Sequence, residues 1–385
     1  MKFLIIGRGS MAKRRCRNLD KLGYTQYNTW DITDDTTPKQ LIETYKPEII
    51  IVSSPPITKQ QYIDMAQEKN IPCFVEADVC LYNGNYYPSS TMRFHPAVIK
   101  IKELIDNGTF GKIYSFTYHH GSHLDDWRPK GFPPDYYAAK KESSACKEMF
   151  CFELSWLSYL FGMPVDACGY VDKKLDMENV AADDCYSTVA KFEKTKLVQV
   201  IKPWDDRITK SLKNPFIKDE NNTYSEKYDP QKPILTPKCH KCIMSPNSFY
   251  TGCGEYNIQC TKGTPDYYDE NDIFKESKIF TTGTFQCDMV TRPTIRELKI
   301  SAENGTLTWN WKDNFIDVID WRGAHSLYKI DKGEAAPGYN SSIIESMYED
   351  ELREFIEAVK GNNGYRYSRG EEEAVIKMLG KVEDV

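Results

Sequence analysis

Phe3-Leu4-Ile5-Ile6-Gly7-Arg8-Gly9-Ser10-Met11-Ala12 is the stretch on which the fold of this chain turns. Four apolar residues form a buried-strand run. They lead without a spacer into G-x-G-x-x-A and then into Ser10 to Leu22, a segment with helical apolar spacing that Gly23 stops. Strand, glycine turn and helix in this order is the context in which such a motif cradles a pyrophosphate. Gly7 permits the tight turn, Gly9 lets the backbone approach a phosphate, and Ala12 keeps helix and strand close. Ser10 and Met11 open the helix whose unpaired N–H groups attract the anion. A glycine turn that binds nothing is the competing reading of the same residues.

Working outward, strand and helix signals alternate. Thr25 to Trp30 reads as a second strand, Lys39 to Tyr45 as a helix, and Ile49 to Val52 as a third, fully buried strand. Lys59 to Lys69 reads as a helix and Cys73 to Glu76 as a strand. Short connections between them imply a parallel sheet with right-handed crossovers, a Rossmann domain over residues 1–95. Asp31, closing the second strand, is placed to accept hydrogen bonds from a ribose diol and to repel a 2'-phosphate, which favours NAD over NADP. A turn or capping aspartate is the alternative there. Ser53-Ser54-Pro55 lies at the carboxyl edge where ligands of doubly wound sheets bind, and Glu76, ending the fourth strand, joins the same cofactor-binding set.

Past residue 95 the pattern changes to α+β. Helices read at Pro96 to Asn107 and Phe150 to Phe161. Strands read at Lys112 to His119, Tyr186 to Phe192, Thr195 to Ile201, Phe280 to Asp288, Ile295 to Ser301 and Gly305 to Trp311. Their closeness in sequence suits a mainly antiparallel open sheet in a substrate and oligomerisation domain over 96–345. A polar insertion, 205–276, interrupts it. Met347 to Lys360 and Glu371 to Leu379 read as two surface helices in a C-terminal segment, 346–385.

The 385 residues suffice for two domains with separate cores, and no apolar run approaches the roughly 18 residues of a membrane span. A formal charge of -6 argues against nucleic-acid binding, and Lys13-Arg14-Arg15 reads as a solvated helix face. The opening strand is too short for a signal-peptide core, so a cytoplasmic location is expected, with no membrane partner. The 12 cysteines then read as free thiols, with one cluster worth weighing. Cys239, Cys242, Cys253 and Cys260 suit a tetrahedral Zn site that would staple the insertion; free thiols are the alternative, since the later spacings fit no standard pattern.

The glycine loop, Ser53-Ser54-Pro55-Pro56, and Arg93-Phe94-His95-Pro96 followed by a helix and Gly111-Lys112-Ile113 resemble the glucose-fructose oxidoreductase/inositol dehydrogenase/MocA (Gfo/Idh/MocA) family. Gly121 to Pro129, Tyr136 to Glu142, Glu153 to Gly162 and the run from Arg292 and Pro293 to Trp311 resemble its branch acting on nucleotide-linked or nine-carbon sugar acids, of the legionaminate and acylneuraminate type. The resemblance implies hydride transfer between a nicotinamide and a hydroxyl-bearing sugar carbon, and a homo-oligomer built on the open sheet. It also implies proton handling by a Lys in E-K-P and by an Asp and a His on a later helix. This sequence departs at all three: Ala77, Met149 and Phe152 stand there. Few residues separate Glu76 from Arg93, where the family fits another helix and strand, so a shortened sheet edge is expected.

Replacement candidates are His119 and His123, which share one face of a continued strand, and Tyr137 as a phenol donor. For the substrate, Arg93, Arg128, Lys140 and Lys141 are candidate anion partners. Each has a plain structural alternative: packed histidines, packed tyrosines, surface lysines or a salt bridge. Two functions remain in view, an NAD-dependent oxidoreductase on a sugar-like substrate with a relocated acid/base, and a non-catalytic nucleotide-binding relative that serves in binding or assembly.

Overall fold

The structure, a computed structural model, describes residues 1–127, 131–134, 136–200, 273–313, 315–331 and 344–384. Residues 1–193 and 280–385 make one unit; residues 194–279 make a second, of which only the strand segments 194–200 and 273–279 are described.

The first unit contains two sheets. Strands β1 (Phe3–Ile6), β2 (Tyr27–Trp30), β3 (Ile49–Val52), β4 (Cys73–Val75) and β5 (Tyr87–Pro88) pair in parallel in the order β2-β1-β3-β4-β5. The helices among the described residues are α1 (Ser10–Lys21), α2 (Pro38–Tyr45), α3 (Lys59–Glu68), α4 (Pro96–Asp106), α5 (Leu124–Trp127), α6 (Ala145–Phe161), α7 (Glu345–Val359) and α8 (Arg369–Glu383). Every residue of β1 and β3 is buried, as unbroken apolar runs require when helices cover both faces of a parallel sheet. Leu4, Ile6, Ile50 and Val52 pack with Ile42 of α2 and with Tyr62, Ile63 and Ala66 of α3. The alternate residues, Phe3, Ile5, Ile49 and Ile51, pack with Ala12 and Leu19 of α1 on the opposite face.

That second face brings two corrections. Leu352, Phe355 and Ile356 of α7 complete it, so the first C-terminal helix is a layer of the parallel-sheet domain rather than a surface helix. The Lys13-Arg14-Arg15 run is not a solvated face either. Lys13 is exposed, but Arg14 and Arg15 are buried against α7. Arg15 donates to Glu76 (2.6 and 3.0 Å) and to Glu351 (2.7 Å), and Arg14 pairs with Glu345 at 3.2 Å. The shortened edge is present: one two-residue strand, β5, and no α-helix lies between Glu76 and Arg93.

The second sheet contains β6 (Ile113–His123), β7 (Met163–Asp172), β8 (Cys185–Val200), β9 (Ile273–Asp288), β10 (Val290–Ala302), β11 (Gly305–Asn310), β12 (Phe315–Asp320) and β13 (His325–Lys329), ordered β13-β12-β11-β10-β6-β9-β8-β7. It is mostly antiparallel, with β6 and β9 parallel. Helices α4, α6 and α8 cover one face through Val98, Ile101, Leu154, Leu157, Met378 and Leu379. The two strands read over Tyr186 to Ile201 are one, and β7, β12 and β13 were not read at all. Helix α6 starts earlier than its apolar run because Ser144 accepts from Lys147 N at 3.0 Å, an N-cap that carries Glu148 into the first turn.

Helix α8 supplies a pH test. Its capping box, Ser368 with Glu371, places Glu372 in a buried first turn, where it accepts from Tyr86 Oη at 2.5 Å. Burial, with Asp78 adding, pushes the Glu372 carboxyl up to about 7. A carboxyl whose folded pKa is raised holds its proton in the folded state and releases it when unfolded, so stability falls as pH rises from about 4.5 through about 7. Glu372→Gln keeps an acceptor for Tyr86 without the charge. It should flatten this slope and gain about 1–3 kcal/mol at pH 8. Urea unfolding at pH 5 and pH 8 checks this; equal slopes in both proteins would refute it.

Candidate active site

At the carboxyl edge of the first sheet, β1 ends in Gly7 with φ +110, a conformation that favours glycine. A Cβ there would sit 2.8 Å from the Ser53 carbonyl oxygen, so glycine is also what lets the turn close on the loop after β3. Gly9 caps α1, and a Cβ on it would meet nothing within 4 Å. The loop therefore presents open backbone. Lys13 N is the first to bond within the helix, to Gly9 O at 3.1 Å, which leaves the N–H groups of Ser10, Met11 and Ala12 for an anion. Ser10 is exposed and Met11 partly buried. These residues fit a dinucleotide's pyrophosphate.

Asp31 follows β2 at the same edge, partly buried. Its Oδ1 accepts from Thr33 N (3.4 Å) and Thr33 Oγ1 (3.2 Å). Asp34 accepts from Asp31 N at 3.0 Å and takes both amino groups of Arg8, at 2.6 and 2.7 Å. This fork ties the glycine loop to the β2–α2 turn. Beside it, Ile32 and Ile57 are 80% and 92% exposed, apolar side chains left in solvent next to a polar cradle. Ser54 Oγ accepts from Thr58 Oγ1 at 3.0 Å, and Pro55 O from the same hydroxyl at 2.8 Å, which fixes the turn into α3.

Glu76-Ala77-Asp78 follows directly on β4. The Glu76 carboxylate is committed to Arg15, with Ser53 Oγ at 3.4 Å. Sequence reasoning missed Lys59. Its buried ammonium donates to Glu76 O at 2.9 Å and Ala77 O at 3.4 Å and pairs with Asp78 at 2.8 Å. Asp78 also accepts from Tyr82 Oη and from Val79 N, at 2.6 Å, so the lysine clamps a turn. Ala77 and Phe152, two of the three replaced positions, line one cavity with Asp78, Cys151, Ser155 and Glu372. Its volume is about 10 Å³, room for one water. A substrate does not fit there.

A second missed residue, Glu148, stands beside this turn on α6. It is partly buried, one turn before Phe152 on the same helix face, and accepts from Tyr137 Oη at 3.2 Å. Burial pushes the Glu148 carboxyl up to about 7; Lys59 and the Tyr137 hydroxyl work against the rise, while Asp78 and Glu76 add to it. Burial and Glu148 push the Tyr137 phenol up as well, which keeps it a donor. Here a carboxylate and a phenol, both able to move protons, are joined within reach of the charges at the turn after β4.

The other candidates sit elsewhere. Tyr118 and His120 meet Glu153 of α6, at 2.5 and 3.5 Å, so by strand alternation His119 and His123 face away from that helix. His119 pairs with Asp288 at 2.8 Å on the sheet's other face, in a groove of about 540 Å³ that also takes in Tyr170, Ser187 and Gln286. His123 lies instead against Asp125, 3.6 Å away. Buried His120 is pulled down to about 4 by desolvation and is neutral. Arg93 is fully buried. Its five donors go to Ser155 O, Ser158 Oγ, Arg366 O and Glu371, leaving none for a substrate; it is a brace between α6 and α8. Lys140 and Lys141 are exposed, with Lys141 3.6 Å from Asp183. Arg128 and the four clustered cysteines lie outside the described residues. Among the described residues no group of His, Cys, Asp and Glu could hold a metal, and no helix is long and apolar enough to cross a membrane.

Residues 98–209 match the family model of the GFO/IDH/MocA C-terminal domain. No curated protein matches the sequence. The fold resembles an oxidoreductase from Agrobacterium radiobacter solved with NAD+, L-tartaric acid and magnesium (8% identity, TM-score 0.63, covering 100% of this chain and 95% of that one). It also resembles a levoglucosan dehydrogenase in complex with NADH (10%, 0.62, 100% and 96%). A third is a UDP-N-acetylglucosamine 3-dehydrogenase from Acidithiobacillus ferrooxidans (10%, 0.60, 100% and 97%). These likenesses show the fold: a Rossmann-like parallel sheet followed by a mixed, mostly antiparallel one.

Proposed function

We propose that this chain is a nicotinamide-dependent oxidoreductase of the Gfo/Idh/MocA kind, acting on a sugar or sugar-nucleotide-like substrate with an atypical catalytic site. One observation carries the reading: Gly7 closed on Ser53 O and Gly9 open in front of three unpaired helix N–H groups, the cradle of a dinucleotide. The matched C-terminal domain supports the same class. Gly7, Gly9, Ser10 and Met11 would hold the pyrophosphate and Asp31 the adenosine ribose, with Ile32 and Ile57 as apolar walls for the adenine. A nicotinamide supplies the hydride acceptor or donor when bound. The residues of the chain then bind and orient the substrate, keep water out and move its hydroxyl proton.

Asp31 favours NAD over NADP, since a 2'-phosphate would meet its carboxylate while Arg8, the nearby cation, is held by Asp34. The segments at Gly121 to Pro129 and Glu153 to Gly162 favour, within the sugar class, a sugar acid. The outward face of the second sheet, with Tyr170 77% and Val189 44% exposed, suits a second copy of the chain as its cover.

Titration with NADH and NADPH, followed by nicotinamide fluorescence, tests the core of the reading. NADH should bind at least about tenfold more tightly, and Asp31→Ala should narrow the gap. If neither nucleotide binds, the enzyme reading falls and the non-catalytic scaffold takes its place.

A further inference from the structure

The nucleotide edge, the cavity and α6 together leave one proton-moving pair open. Lys59 and Asp78 are sealed and mutually satisfied, Glu76 is held by Arg15, and the cavity between Ala77 and Phe152 admits a water only. Glu148 differs on each count. It is partly open, its described hydrogen-bond partner is a phenol rather than a cation, and the charges of Lys59 and of Asp78 and Glu76 at the turn after β4 act on it. Tyr137 is held by its own short helical turn, Tyr137–Ala139, and its carbonyl accepts from Ser143 at 2.7 Å, so the phenol is fixed relative to α6.

We infer that Glu148 is the catalytic base of this site and that Tyr137 positions it, a pair supplied by the first turn of α6 and the short helical turn before it, in place of the proton-handling positions now occupied by Ala77, Met149 and Phe152. The inference rests on the nicotinamide reading above. In the oxidative direction the substrate O–H bond breaks and its proton passes to a Glu148 carboxylate oxygen. The O–H electron pair closes the carbonyl, and the carbinol C–H pair leaves as hydride to the oxidised nicotinamide. Reduction runs the same transfers backwards, with protonated Glu148 as the acid. A carboxyl held near neutrality suits both directions. The groups that set its charge are Lys59 on α3, Glu76 and Asp78 after β4, and the Tyr137 hydroxyl.

The test needs no known substrate. A positively charged nicotinamide ring placed beside Glu148 favours the carboxylate, so NAD+ binding at pH 7 should release up to about half a proton per chain, and NADH should release less. Calorimetry of NAD+ binding in buffers of different ionisation enthalpy counts those protons. Glu148→Gln should bind NAD+ without release. Tyr137→Phe should keep the release but move its midpoint to higher pH, because the lost hydrogen bond had favoured the charged carboxyl. Nucleotide binding with no release, or release that persists in Glu148→Gln, overturns the assignment while leaving the nucleotide site standing. Absence of any nucleotide binding overturns both. Thermal unfolding of the two variants, expected within a few degrees of the parent, separates loss of the group from loss of the fold.

Discussion

Arg15→Met is expected to lower folding stability by about 3–5 kcal/mol, the largest loss of any single charged-group change in the first domain. The Arg15 side chain is fully buried and holds two buried carboxylates from distant parts of the chain, Glu76 after β4 and Glu351 on α7. It also lies over the Phe74 ring at 4.8 Å and donates to Tyr348 O at 3.2 Å. Methionine preserves much of the apolar stem but strands both anions. Burial pushes Glu351 up even with its partner in place, and without the guanidinium that carboxyl should take a proton more readily. The defect should therefore grow as pH rises and be larger at pH 8 than at pH 5. Denaturant unfolding at the two values reads it, and adding Glu351→Gln should recover part of the loss at pH 8. A pH-independent defect would mean that packing, not charge, is what Arg15 supplies.

Gly7→Ala should damage both nucleotide binding and stability. The backbone conformation at φ +110 costs a side chain about 1–3 kcal/mol, and the new Cβ would press on the Ser53 carbonyl at 2.8 Å. Backbone, not a flexible side-chain end, lies in its way, so the loop must shift. Because α1 begins three residues later, its N–H groups shift with it, and NADH affinity should fall by about tenfold or more. Fluorescence titration measures this directly. Gly9→Ala is the contrast: its Cβ would enter open space, so the fold should tolerate it while a bound phosphate would not. Equal stability loss in the two variants would contradict the close approach to Ser53.

The parallel sheet was legible because its strands are buried on both sides and so appear as unbroken apolar runs, Phe3 to Ile6 and Ile49 to Val52 being the clearest. Strand β7 was not, since Met163-Pro164-Val165-Asp166 mixes exposed apolar and polar residues beside a register shift. Strand β13 is the sheet edge and β12 is its neighbour, and both are short, partly exposed segments that leave little periodicity to read. The glycine cradle could be read because its chemistry is local. Lys59, Asp78, Tyr82, Tyr137 and Glu148 could not be grouped, since they come from separate elements and meet only in space. Glu148 did carry a faint signal: it stands four residues before Phe152 and directly beside Met149, two positions already suspected. Arg14 and Arg15 looked solvated because their partners, Glu345 and Glu351, lie more than 300 residues away.

Helix α7, which lays Leu352, Phe355 and Ile356 over the sheet that begins at Phe3, bears on how the protein is made. The strands of that sheet are complete at Pro88, and the helix that covers their second face begins at Glu345, so a long stretch of chain is made between them. At about 5–20 residues per second the interval is on the order of tens of seconds. Throughout it Phe3, Ile5, Ile49, Ile51 and Phe74 have only α1 over them, and Arg15 has yet to meet Glu351. The nascent domain thus carries an uncovered apolar face through that interval, a state in which chaperones would find it, and a chain truncated before α7 would keep that face for good.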